Sequence, residues 1–360
     1  MDELCSKFIS IKNSKEDTLY GISKYISILV CITGIVCNIL ATIVLTRKRL
    51  IRSPSNVILI VISISGILAL IYSVTLFLID INYVKYDRIY VLSYYIILPG
   101  CYFSCAIHTW MTVSLAYWRV KAIRCPDRRT HLTTNKVVVS IVIVVILSMI
   151  FHAPYYGIYF ADVKNCNGSE TISNSTMDGA KKIWHINSRN QIIGLVDYFI
   201  NTLLNQVIPT FLLLILTVML IQSLAESKRI QKNCLNMQRV DSLTSHVSKR
   251  SNLSNSGQII DPAQSLILVF IFTLLCDLPV SMQIIGMILS KATSNQLFKG
   301  PYIADGTTIC NISKLINCSS ILFLLCINSE PFRQEVKKIF CRYMNGRKND
   351  STSSSSADHV

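Results

Sequence analysis

Two ionisable residues of opposite sign stand inside otherwise uncharged apolar stretches: Asp277 in CDLP and Lys314 in ICNISKLIN. A lone charge at the centre of a bilayer costs about 2.5–3.5 kcal/mol even on a lenient insertion scale. Two such residues in the last two apolar stretches point to an interior that faces protein, water or ligand. Burial disfavours the charged form of each alone, whereas together they can stay charged if other hydrogen bonds complete the site. The expected chemistry is that of an ion pair acting as a latch. No nucleophile–base arrangement, phosphate loop or GxSxG motif occurs, and His108 and His152 have no second ligand at metal spacing. The sequence therefore points away from an enzyme, and to no cofactor and no metal.

The elements that must position this pair are long and apolar. Uncharged runs extend over 25–46, 53–79, 89–118, 137–161 and 198–225, and 262–290 and 306–329 each carry one of the two charges just named. Crossing about 30 Å of hydrocarbon takes about 20 helical residues, so all seven can span. Hydrophobic residues make up 51% of the chain and charged residues 15%, against about 25% charged in soluble proteins. A large soluble core explains one or two such runs, not seven. The first 20 residues are polar and mixed in charge, without a cleavable apolar leader, so the first span is expected to start insertion itself. The fold class is all-α: a seven-transmembrane helix bundle followed by a short amphipathic helix on the membrane surface.

Charge sets the expected orientation. With the N-terminus outside, the inner segments hold 22 Lys and Arg and the outer segments 12. This bias favours an extracellular N-terminus and a cytosolic C-terminus. The net charge of +15 is then mostly a cytoplasmic property that attracts anionic lipid, and no nucleic-acid fold accompanies it. Thirteen cysteines do not form a disulfide framework, because most fall within spans or in the cytosol. Cys5, Cys166 and Cys310 lie on the outer face and Cys101 a little below it, and their pairing stays open.

The expected organisation is an outer tail at 1–22, the bundle at 23–328, an amphipathic helix at 329–342 and a Ser-rich cytoplasmic tail at 343–360. Pro54 suits the first turn of the second helix. The long second outer loop carries the glycosylation sequons at Asn167 and Asn174. The third inner loop, about 226–261, extends its flanking helices and is loose at its centre. After the seventh span, Phe332, Val336, Ile339 and Phe340 recur at helical spacing opposite Lys and Arg, which predicts a helix lying on the inner leaflet. Cys341 follows as a palmitoylation candidate. The tail STSSSSADHV is open to phosphorylation, and so to kinases and arrestin.

Local motifs carry a family resemblance over about 25–340. The first span has GIVCN with Asn38. The third ends in TWMTVSLAYWRVKAIRCP with Arg119. The fifth has NQVIPTF with Pro209, the sixth FTLLCDLP with Phe272 and Pro279, and the seventh NCSS running on to PFR. This layout resembles a rhodopsin-like G-protein-coupled receptor. The TWMTVSLA-WR stretch, the acid-Leu-Pro in place of Trp-x-Pro, and NCSS are similar to invertebrate myosuppressin and FMRFamide-type peptide receptors and to the nematode serpentine receptor class W.

The resemblance implies a plasma-membrane, multi-pass receptor for a short amidated neuropeptide that signals to a heterotrimeric G protein. It places Arg119 and Arg124 at the G-protein face, Phe272, Pro279 and Pro209 at switch positions, and Cys101, Cys105, Asp277, Gln283 and Lys314 along the ligand pocket. The outer acids Asp197 and Asp305 are candidate partners for a peptide arginine. The departures have consequences. Trp118 replaces the acid before the family arginine, Gly66 the sodium-binding acid, and Leu325 the tyrosine of the NPxxY block. A divergent chemosensory receptor with weakened coupling is the alternative, and a transporter the alternative of another class, although no inverted repeat is visible. An opsin is disfavoured because Lys314 lies one residue before the retinal-binding position, here Leu315.

Overall fold

The computed structural model describes residues 18–82, 88–124, 133–166, 181–188, 202–244, 261–293, 301–339 and 341. The bundle helices are α1 (Thr18–Leu45), α2 (Pro54–Asn82), α3 (Arg88–Arg124), α4 (Thr134–Ile158), α5 (Ile208–Thr244), α6 (Asp261–Thr293) and α7 (Pro301–Ser319). A short α8 (Ile321–Asn328) continues α7, and α9 covers 330–339. Six of these helices are apolar and long enough to cross a membrane, and α7 with α8 supplies the seventh span as a bent pair. The seven-helix bundle expected from the apolar runs is the observed architecture.

Why these helices belong in lipid is visible on α1. Leu29 and Val36 are 64% and 53% exposed, while Cys31, Asn38 and Ala41 on the other face are buried. In water such an apolar outer face would be unfavourable; in hydrocarbon it is the required surface. α4 lies at the periphery, with Val139, Val142, Ile143, Ile146 and Ile150 turned outward. α3 is the central element, packing against α2, α4 and α5. Its Met111, Leu115 and Ala116 meet Leu213 and Leu220 of α5 and Phe270 of α6 in the main core.

Three features were not legible in the run of apolar residues. The seventh span is not one straight helix but bends by 54° between α7 and α8. At the break the Ser320 N–H bonds three residues back to the Asn317 carbonyl at 3.4 Å, and the Ser320 hydroxyl donates to the same oxygen at 2.9 Å. These short-range bonds compete with the α-helical ladder and close the turn early. Between α4 and α5 lies an antiparallel hairpin, β1 (Tyr159–Cys166) paired with β2 (Lys181–Ser188), with Tyr159 opposite Ser188 and Cys166 opposite Lys181. A π-helical turn, Leu203–Val207, precedes α5.

After the bend, α9 tucks Phe332 into the main core with Val336 and Ile339 packed beside it. Its Glu335 accepts from Lys338 at 2.7 Å. That hydrogen bond, with Arg49 and Arg47 of the α1–α2 connection nearby, holds the Glu335 carboxyl below its usual range.

Two glycines permit the close approach of α7 to α1 and α2. A Cβ on Gly34 would overlap Ser319 Oγ and lie 2.6 Å from its Cβ, and one on Gly66 would lie 3.2 Å from the Cys318 carbonyl oxygen. Gly66 thus lets the α7 backbone come close, and a larger side chain there would need a small shift of α7. Gly34→Ala is expected to destabilise the detergent-solubilised protein by about 1–3 kcal/mol, read as a lower melting temperature. Ser319→Gly in the same chain should recover most of the loss. An unchanged melting temperature in Gly34→Ala would show that the helices do not meet there.

Candidate functional site

The centre of the site is built by the start of α5. Pro209 has no N–H to offer the carbonyl of Asn205. The backbone widens just before it, and Ile208 N–H bonds Leu203 O, five residues back. π turns of this kind are frequent at functional sites. Here the turn carries Gln206, 4% exposed, into the bundle.

Gln206 meets Lys314 of α7. Lys314 Nζ donates to Gln206 Oε1 at 2.9 Å. Asp277 of α6 is 1% exposed, and its Oδ1 accepts from Asn317 Nδ2 at 3.3 Å. The Gln206 amide also lies close enough to interact with the Asp277 carboxylate. Yet Gln206 Nε2 and Asp277 Oδ2 are both buried with no formed hydrogen bond. The direct ion pair expected from the sequence is therefore corrected. Asp277 and Lys314 are within electrostatic reach of one another, but the Gln206 amide takes the ammonium's hydrogen bond. A buried amide of this shape can accept from a cation on one side and donate to an anion on the other, which a direct pair leaves no room for.

The surrounding hydrogen bonds fix the helices that carry these groups. Ser281 Oγ, one turn above Asp277, reaches Thr210 Oγ1 and the Asp277 carbonyl, each at 3.1 Å. Ser313 Oγ donates to the Cys276 carbonyl at 2.9 Å, tying α7 to α6. Asn38 Nδ2 donates to the carbonyls of Gly34 at 2.9 Å and Cys318 at 2.7 Å, tying α1 to α7.

Beneath Lys314 lies a group of thiols. Cys105 packs against the small cluster that contains Cys31, Leu315 and Cys318. Cys101, one turn from Cys105 on α3, contacts Ser73 Oγ at 3.5 Å. Lys314 interacts electrostatically with Cys101, Cys105 and Cys318. Among the described residues no group of three or more His, Cys, Asp or Glu is placed to hold a metal ion. His108 is buried with Nδ1 3.2 Å from the Ile62 carbonyl.

The remaining candidates fall in different places. Gln283 lies half-buried on α6, and Asp305 is on α7. Asp197, Asn167 and Asn174 lie outside the described residues. Pro209 is buried, whereas Pro279 is an exposed residue inside α6. Phe272, the remaining switch candidate, packs against the main core on one side. Phe272 is half-buried and lines an outward-facing apolar groove of about 500 Å³ with Leu268, Leu275, Ile316 and Phe323. Each helical residue turns about 100°, so the neighbouring Thr273 faces inward and is buried.

At the C-terminal end of α3, Arg119 Nε is buried and without a partner. Arg124 Nε donates to Ser223 Oγ at 2.9 Å, linking α3 to α5. Lys121 Nζ sits 5.2 Å from the Trp118 ring centroid and 5.9 Å from that of Tyr117. Cys341 is exposed just beyond α9.

Sequence reasoning missed three members of this architecture. Gln206 and Asn317 stood in the quoted motifs NQVIPTF and NCSS, where a polar side chain in an apolar span was the available signal. The third is the ion pair Lys24–Asp80, 2.6 Å apart with both side chains nearly fully buried. Tyr90 OH adds a 3.2 Å bond to Asp80 Oδ1. Its signal was opposite charges at the abutting ends of the first and second spans.

A model of the serpentine type 7TM GPCR chemoreceptor family Srw matches residues 25–343. No curated protein matches the chain.

Proposed function

Because the chain belongs to the serpentine seven-transmembrane chemoreceptor family Srw, we propose that it binds a short amidated peptide from outside and passes the signal to a heterotrimeric G protein. The observation that carries the ligand half is the Lys314–Gln206–Asp277 arrangement. It joins α5, α6 and α7 at one buried polar point, where a ligand can change how the three helices pack. The hairpin β1–β2 supports a peptide, since the outer edge of a two-stranded sheet can accept an extended chain by strand addition. The coupling half rests on Arg119, whose buried and unpartnered guanidinium nitrogen lies near the cytoplasmic end of α3.

In this reading the protein sits in the plasma membrane with its N-terminus outside, glycans on Asn167 or Asn174, and the Ser-rich tail available to kinases and arrestin. The second reading, a receptor for a small chemical cue, is favoured by the family description. Cells expressing the chain are exposed to amidated peptides, with calcium and cAMP recorded. A dose-dependent response that needs Asp277 supports the peptide reading. A response only to small chemicals favours the second, and substrate-dependent current or uptake would replace both with a transporter.

A further inference from the structure

Gln206 is placed as a ligand would be. Its side chain is a primary carboxamide held between a cation and an anion. The carbonyl side is satisfied by Lys314 Nζ at 2.9 Å. The amino side is not: Gln206 Nε2 and Asp277 Oδ2 are each buried without a hydrogen-bond partner, although the two residues lie within interaction range. Leaving a buried donor and a buried acceptor unmade is expensive. The segment that carries Gln206 is the widened turn Leu203–Val207, not regular α-helix. The internal occupant thus satisfies half of its site and sits on backbone that can tighten.

We propose that this gap is a carboxamide subsite, and that Gln206 occupies it until the primary amide of a ligand takes its place. The inference rests on the peptide reading above and adds what the peptide must present at the bottom of the pocket: a C-terminal CONH2 rather than a free carboxylate. The amide oxygen accepts from Lys314, and the amide NH2 donates to Asp277 Oδ2. A carboxylate satisfies Lys314 equally well but sets a negative oxygen against Asp277, and like charges placed together in a buried site are strongly disfavoured. A site built around an N–H donor rejects an analogue without it more sharply than an apolar pocket rejects a missing methylene. Displaced, Gln206 leaves with the π turn: closing that turn to α-helix rotates the residues before it by about 100°. The ligand's bond to Asp277 is thereby coupled to the start of α5.

The probe is a set of tetrapeptides ending in Arg-X, each made as the carboxamide and as the free acid. They are applied to cells expressing the full chain, with surface expression measured by antibody and calcium and cAMP recorded. In the wild type, active amides are expected to exceed their acids in potency by more than about 200-fold, the most that a missing methylene costs. Gln206→Ala, which empties the gap, is expected to raise amide potency by about tenfold, because the ligand no longer competes with an internal occupant. Asp277→Asn offers an NH2 to a carboxylate, so the preference for amide over acid should vanish. A purely structural role for Asp277 would lower both potencies and leave their ratio intact. Equal potency of amides and acids in the wild type, or a preference that survives in a surface-expressed Asp277→Asn, overturns this inference alone. Should Asp277→Asn not reach the surface, the wild-type ratio and the Gln206→Ala shift decide. Silence from every member in wild type and Gln206→Ala, at normal surface expression, overturns the peptide reading and the subsite with it.

Discussion

Replacing Arg119 by Ala is expected to reduce ligand-dependent signalling to the level of untransfected cells while surface expression stays near wild type. The expectation comes from what Arg119 lacks. Residue 118 is Trp, not an acid that could pair with the neighbouring arginine, and Lys121 stacks over that ring. Arg119 Nε is buried and unbonded, so it holds a costly donor ready for an incoming acceptor. The α3–α5 link at this end runs instead through Arg124 and Ser223. Truncating Arg119 removes the donor without breaking that link, which is why folding survives and coupling does not. Ligand-stimulated nucleotide exchange in membranes is the direct readout; undiminished exchange in Arg119→Ala would remove this role. The same logic predicts that Trp118→Asp lowers basal signalling, by supplying the missing partner.

Lys314→Met is expected to cost about 3–5 kcal/mol of stability, the range for removing one member of a buried charged pair. It leaves Gln206 Oε1 without its donor and Asp277 without the nearby ammonium. Asp277→Asn removes the other charge and weakens the acceptor for Asn317. The double variant should be milder than the sum, with a coupling of about 0.5–3 kcal/mol. Because Gln206 stands between them, the coupling should shrink in a Gln206→Ala background if the amide transmits it. Thermal melts of the purified variants measure each term. Strict additivity in the wild-type background would mean that the two charges act independently and that the site is not a latch.

The amino-acid sequence determined the bundle. Long apolar runs must satisfy their backbone polar groups internally in lipid, so 25–46 and its counterparts are helices whatever packs beside them. The sequence also singled out Asp277 and Lys314, since charge inside such runs is costly wherever it points. It also placed Pro54 at the start of α2. What it did not contain was direction. Phe272 and Thr273 are adjacent letters, and only the rotation of α6 against its neighbours decides which one is buried. Nor did spacing along the chain say that a side chain from α5 would stand between the charges of α6 and α7. Gln206 and Lys314 are 108 residues apart and meet at 2.9 Å because a missing N–H at Pro209 widens one turn. Gly66 looked like a lost sodium ligand; packing shows the Cys318 carbonyl only 3.2 Å from where its Cβ would stand. The periodicity of hydrophobic residues fixes which segments are buried in the membrane. Which polar atoms then face one another is set by helix rotation and by close approaches between helices, and these are properties of the packed bundle alone.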